Sequence, residues 1–163
     1  NMLGPLTNPA AANCQLLGVY APELTEMFAQ ALRLLGGRHA FVVHGHDGLD
    51  EISVCAATRI SELKNDQIRT YDISPEQFFD TLADPQDMTG GDPDENARIT
   101  RRILAGEKGS KRNVVLLNTA AALMAADRAA DFKEGIGLAA EAIDSGAAAA
   151  KLDELITYTQ ENG

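Results

Sequence analysis

Apolar and polar positions run through this chain in two rhythms, a strand-like one in the first half and a helical one in the second. Gln15 to Tyr20 (QLLGVY) is a short apolar segment that predicts a strand. APELTEMFAQALRLLGG follows with spacings of three and four: Leu24, Met27, Phe28, Ala31, Leu34 and Leu35 mark one helical stripe. Pro22 suits the first turn, and Gly36 and Gly37 end the helix. His39 to Gly45 (HAFVVHG) is a continuous apolar run, as expected of a strand covered on both faces. Strand, helix and strand in that order predict a parallel pair.

Ile52, Val54, Ala56, Thr58 and Ile60 then alternate within ISVCAATRISEL, which predicts a further strand. KND reads as a turn and QIRTYDI as the second arm of a hairpin. SPEQFFDTL opens on a Ser-Pro-x-Gln capping pattern and predicts a short helix. After the loop DMTGG, Asp92-Pro93-Asp94-Glu95 caps a helix reaching about Ala105 and closed by Gly106. The last third is helical throughout: NVVLLNTAAALMAAD, DFKEGIGLAAEAIDSG and AAAAKLDELITYTQ, with Gly146 as the C′ residue of the middle helix. The fold class is therefore α/β, a small mixed sheet with flanking helices.

Composition narrows the function classes. The chain has 163 residues, enough for one domain with a real core. Apolar content is 45%, much of it alanine, which argues for close helix packing rather than disorder. The net charge of −10 disfavours nucleic acid and anionic membranes as partners, because both need clustered Lys and Arg. No apolar run approaches the ~20 residues that span a bilayer. The start NMLGPLTNPAAANC has neither the charged region nor the apolar core of a signal peptide. Cys14 and Cys55 are far apart and not in a CxxC pair, so two reduced, buried thiols of a cytoplasmic protein are expected.

Candidate chemistry concentrates in VVHGHDGLDEIS, Val42 to Ser53. A parallel strand ending at His44-Gly45 delivers the chain to the edge where open α/β sheets bind ligands. Gly45 and Gly48 permit tight turns. Asp47, Asp50 and Glu51 offer hard oxygen donors suited to Mg2+, which takes one or two carboxylates plus waters and substrate phosphates. A solvated acidic turn before a strand has the same composition. His44-x-His46 is a weak zinc pattern, since zinc asks for three or four ligands. His44 reads instead as packed or hydrogen-bonded at the strand end. GGDPDENA (Gly90 to Ala97) has the look of a phosphate-cradling loop, but it lacks Gly-Lys-Ser/Thr, and its acids favour helix capping. GPLTNP is a rigid polar loop, GIGLAA is too loose for a dinucleotide fingerprint, and EKGSKR reads as a solvated loop. Nothing supports nucleophilic catalysis: there is no GxSxG and no Cys-His pair.

Together, NMLGPLTNPA, VVHGHDGLDEIS, GGDPDENA, NVVLLNTAAAL and FKEGIGLAAEAIDSG resemble the anthranilate phosphoribosyltransferase family in order and spacing along essentially the whole chain. The resemblance implies the phosphoribosyltransferase/nucleoside phosphorylase α/β domain. It implies transfer of the phosphoribosyl group of phosphoribosyl pyrophosphate (PRPP) to the nitrogen of anthranilate, releasing pyrophosphate, a step of tryptophan biosynthesis in the cytoplasm. The family uses two Mg2+ ions, and its Asp-Glu metal pair is similar to Asp50-Glu51 here.

The departures from the family are equally specific. Its GTGGD phosphate loop, its KHGNR segment, the arginine that helps hold anthranilate and the helical N-terminal domain that forms the homodimer have no counterpart in these 163 residues. The chain is therefore expected to be the C-terminal segment of the α/β catalytic domain, carrying no catalytic residue of its own and inactive by itself. Pyrimidine nucleoside phosphorylase shares the fold but not the diphosphate metal pair, and LGPLTNPA followed by DGLDE favours the anthranilate enzyme. A nucleic-acid-binding relative should show a basic groove, against the charge of −10. A free-standing partner-binding module should expose apolar surface.

Overall fold

A computed structural model describes residues 4–163; the first three letters of NMLGPLTNP lie outside the described residues. Four strands form one sheet in the order β1 (Cys14–Gly18), β2 (His39–Gly45), β3 (Thr58–Lys64) and β4 (Gln67–Ile73). β1 and β2 are parallel, with Cys14 opposite His39 and Gly18 opposite Val43. β2–β3 and β3–β4 are antiparallel, so the sheet is mixed as expected. The hairpin between β3 and β4 turns on Asn65 and Asp66, at φ 51° and 62°. These two residue types tolerate the left-handed pair that a two-residue type I′ turn requires.

Each face of the sheet carries a helix. On one face, Ala40, Val42 and Leu63 meet Phe28, Ala29 and Leu32 of α1 (Leu24–Leu34). On the other, Phe41, Val43 and Ile60 meet Leu117, Ala120, Ala121 and Ala125 of α3 (Ser110–Ala125), with Phe132 closing the cluster. All seven residues of β2 are buried, as a strand covered twice must be. Outside α3 lies α4 (Phe132–Asp144), then α2 (Pro93–Leu104) and α5 (Ala147–Asn162). α4 approaches α3 through Gly135, where an added Cβ would lie 2.7 Å from the Ala120 Cβ. The first glycine of GIGLAA thus serves helix packing, while Gly137 has nothing within 4 Å of an added Cβ. Gly146, at φ +80°, is the left-handed residue between α4 and α5 that the sequence placed there.

Five expectations need correction. β3 begins at Thr58, not near Ile52. Ile52 and Val54 are buried, so the alternation reported burial correctly, but side chains replace the ladder there. Ser53 Oγ accepts from the amides of Cys55 (2.9 Å) and Ala56 (3.2 Å), and the Ser53 amide donates to Thr58 Oγ1 (2.9 Å). SPEQFFDTL forms its capping box but only a single turn, Pro75–Gln77, because Phe78 and Phe79 leave helical spacing to pack on the core. The buried face of α1 is Thr25, Phe28, Ala29 and Leu32. Met27, Leu34 and Leu35 of the expected stripe are 49%, 83% and 63% exposed. The pattern misled because a threonine serves the inner face, its hydroxyl held by Pro22 O (2.9 Å) and Ser61 Oγ (3.0 Å). EKGSKR is not all loop: α3 starts at Ser110, and Arg112 is buried, donating to Asp144 Oδ2 at 2.9 Å. Cys14 and Cys55 are free, as expected, but half-buried rather than buried.

Two outcomes follow from this packing. Gly135→Ala should drive α4 off α3 and cost about 1–3 kcal/mol, read as a lowered chemical-denaturation midpoint; Ala120→Gly in the same chain should recover part of it. Asp144 titrates below its ordinary value, chiefly through its hydrogen bond from Arg112. A carboxyl depressed in the fold stabilises it above the unfolded value of 3.8 and loses that contribution as pH falls further. Thermal scans should therefore show Asp144→Asn weaker than the parent at pH 7, with the gap closing below about pH 4.

Candidate functional site

The carboxyl ends of β1 and β2 lie side by side, and the loops leaving them build the site. Past β1, the Val19 amide donates to Val43 O at 3.0 Å and extends the pairing by one residue. Past β2 the chain reverses at once: the Gly45 amide donates to Leu49 O (2.7 Å) and the Gly48 amide to Gly45 O (2.9 Å). Gly48 stands at φ +92°, a conformation that glycine adopts without strain. Gly18 lies directly under the loop, and an added Cβ there would fall 1.7 Å from the Asp50 carbonyl oxygen. The close approach of β1 to the Asp50 backbone therefore depends on that glycine.

Three carboxylates were expected here, and they divide. Asp47 is consumed by the loop: its Oδ2 accepts the Ser53 hydroxyl at 2.6 Å, and its Oδ1 faces the Leu49 amide at 3.4 Å. Asp50 and Glu51 are both exposed. Asp50 borders a cavity of about 180 Å3 together with Pro5, Gly18, Tyr20, Leu24 and Phe28. Glu51 titrates above the ordinary glutamate value, first because of burial and then because of the charge and hydrogen bond of Asp50. The two carboxyl groups are thus neighbours in space as well as in sequence. Among the described residues, no lysine or arginine forms an ion pair with either one.

That donor set suits one kind of cation. Two adjacent hard oxygen ligands, open to solvent and repelling one another, match the one or two carboxylates Mg2+ takes beside waters and phosphates. They do not match a closed structural zinc site. Among the described residues, no group of three or more His, Cys, Asp or Glu could hold a metal ion. His44 is buried and its Nδ1 lies 2.8 Å from Val19 O, an acceptor, so the ring donates there and ties the two strand ends together. His46 turns away to Asp72 of β4 at 3.5 Å. His44 is hydrogen-bonded at the strand end, as expected. GGDPDENA caps its helix, also as expected: Asp92 Oδ1 accepts the Glu95 amide (2.8 Å), and Asn96 closes the Gly91 loop with two bonds of 2.9 Å.

Sequence reasoning missed Asn118 and Gly18. Asn118 projects from α3 and pairs with both backbone groups of Ile52, the residue after Glu51, at 2.9 Å each. A lone asparagine in the apolar run VVLLNTAAAL was the available signal. Gly18 inside QLLGVY was another, since glycine in a strand marks a close approach.

Comparison with known proteins agrees with this geometry. Residues 1–149 match the family described as "Glycosyl transferase family, a/b domain". Among curated proteins, the chain is 67% identical over its whole length to anthranilate phosphoribosyltransferase of Desulfosudis oleivorans, covering 48% of that protein. It is 64% identical over 99% of its length to the enzyme of the same name from Syntrophobacter fumaroxidans, again covering 48%. Among solved structures, anthranilate phosphoribosyltransferase of Thermus thermophilus superposes at a TM-score of 0.88, with 38% identity over 97% of this chain and 46% of that one. The Saccharomyces cerevisiae enzyme in complex with PRPP and Mg superposes at 0.86, with 31% identity over 98% of this chain and 46% of that one. The chain spans about half the length of the relatives it matches. With one family description running over 149 of 163 residues, the chain belongs to the glycosyl transferase family, through its a/b domain.

Proposed function

We propose that this chain is the C-terminal segment of the α/β catalytic domain of an anthranilate phosphoribosyltransferase. In that reaction the anthranilate nitrogen attacks C1 of PRPP. The C1–N bond forms, the C1–O bond breaks with its electron pair leaving on pyrophosphate, and the nitrogen loses a proton. The observation that carries the reading is the Asp50–Glu51 pair, two exposed carboxylates past the carboxyl ends of the parallel strands with no lysine or arginine ion pair among the described residues. It fits a diphosphate-bound cation better than the phosphorolysis of a nucleoside. Asp50 and Glu51 would hold Mg2+, one of two ions per site, which would supply neutralising charge for the departing pyrophosphate. The hydrogen bonds of Gly45, Gly48, Asp47 and Ser53 hold the loop that carries both carboxylates. No catalytic acid or base comes from this segment.

The remaining walls of the site and the homodimer contacts are assigned to the half of the relatives that this chain does not span. The parent is placed in the cytoplasm with small-molecule partners, PRPP and anthranilate. Among the described residues, no helix is long and apolar enough to cross a membrane. The charge of −10 argues against nucleic acid.

The test is a chimera in which this chain replaces the matching half of the Desulfosudis oleivorans protein. It should convert PRPP and anthranilate with Mg2+, followed by loss of anthranilate fluorescence, while the 163-residue chain alone should not. Asp50→Asn should cut kcat/KM of the chimera by about a hundredfold or more. A chimera that folds and dimerises yet cannot use anthranilate overturns the proposal. A second measurement needs no substrate. A carboxyl raised in the fold is destabilising once ionised, and the penalty fades as pH falls toward the unfolded value of 4.5. Glu51→Gln should therefore raise Tm at pH 7 in metal-free buffer, and the gain should vanish by about pH 4.

A further inference from the structure

We propose that Asn118 is the positioning residue of the Asp50–Glu51 pair, setting the loop through the backbone of Ile52. The inference rests on the cation-binding reading of that pair. Asn118 lies mid-way along α3, 66 positions from Ile52. Its Oδ1 accepts the Ile52 amide at 2.9 Å, and its Nδ2 donates to Ile52 O and to Val114 O, both at 2.9 Å. Both amide donors and one acceptor position are thus committed. Pairing with the N–H and the C=O of one residue copies a β-ladder contact, and it fixes the rotation of that peptide as well as its place. The Ile52 side chain is itself fully buried in the core shared with α3. The residue next to Glu51 can therefore neither slide nor turn.

The neighbouring contacts leave this clamp a specific task. Asp50 is backed by Gly18 of β1, and Asp47 and Ser53 close the loop from below. Glu51 makes no ion pair with a lysine or arginine among the described residues; it interacts with Asp50 and its own backbone, so the peptide that carries it is anchored from outside at residue 52. Asparagine is disfavoured inside helices because its side chain competes for backbone groups. Here that competition is directed at a loop across the interface. An apolar residue at this position would leave two Ile52 backbone groups unpaired against α3.

The experiment measures Mn2+ binding to the 163-residue chain by electron paramagnetic resonance, with Mn2+ as the visible probe of a Mg2+ site. Asp50→Asn should abolish the tight component. Asn118→Ala, at a temperature where it stays folded, should weaken binding about tenfold, the range for groups that orient ligands. It should also speed hydrogen exchange at the Ile52 amide. Leu117→Val, one residue away and fully buried, should lower Tm without moving the affinity. If Asn118→Ala does not fold, Asn118→Asp carries the same test, because it keeps the acceptor for the Ile52 amide and loses both donors. Binding that needs Asp50 but is indifferent to Asn118 overturns the positioning role alone. No binding by the parent chain overturns the cation reading and this inference with it.

Discussion

β2 is buried from His39 to Gly45, and that double burial organises the molecule. A strand with no exposed face needs a helix on each side, and α1 and α3 meet the requirement with small and branched side chains. Its amino end is held by polar groups. The buried His39 ring lies 3.2 Å from Glu62 Oε1 and 3.4 Å from Asp127 Oδ1, and the Tyr71 hydroxyl donates to Glu62 at 3.0 Å. Its carboxyl end is held by His44 on Val19 O. With both ends fixed, the loop after Gly45 starts from a rigid edge.

The candidate site is made of what that edge permits. Tight backbone bonds within 45–49 and the missing side chain of Gly18 bring residues 50 and 51 against the end of β1. The result is two neighbouring carboxylates, with Glu51 raised above its ordinary value first by burial and then by the charge of Asp50. A core would not tolerate such a pair, and an open sheet edge does. The rest of the acidic loop is structural. Asp47, identical in chemistry to Asp50, differs in that Ser53 and the Leu49 amide reach it.

Much of this was legible in the residues. The apolar run HAFVVHG, the capping of α2 by Asp92, the asparagine–aspartate hairpin and the glycine after α4 are local rules, and each acted locally. The misreadings at Ile52–Val54 and along α1 share one cause. Periodicity reports which residues want burial, not what will cover them. Ile52 and Val54 are buried without a strand, and Met27, Leu34 and Leu35 are apolar without a cover among the described residues.

The sequence by itself determined the fold class, the order of elements and the acidic loop at the carboxyl edge of the sheet, because strand termini, helix caps and carboxylate types are written within a few residues of one another. Only the tertiary structure decided which carboxylate is tied into the loop and which is not. It also decided that α1 turns Thr25 inward, that Arg112 is buried, and that Asn118 reaches Ile52. Those outcomes depend on contacts between residues 36, 32 and 66 positions apart, and no pattern within a short window carries information about partners that far away.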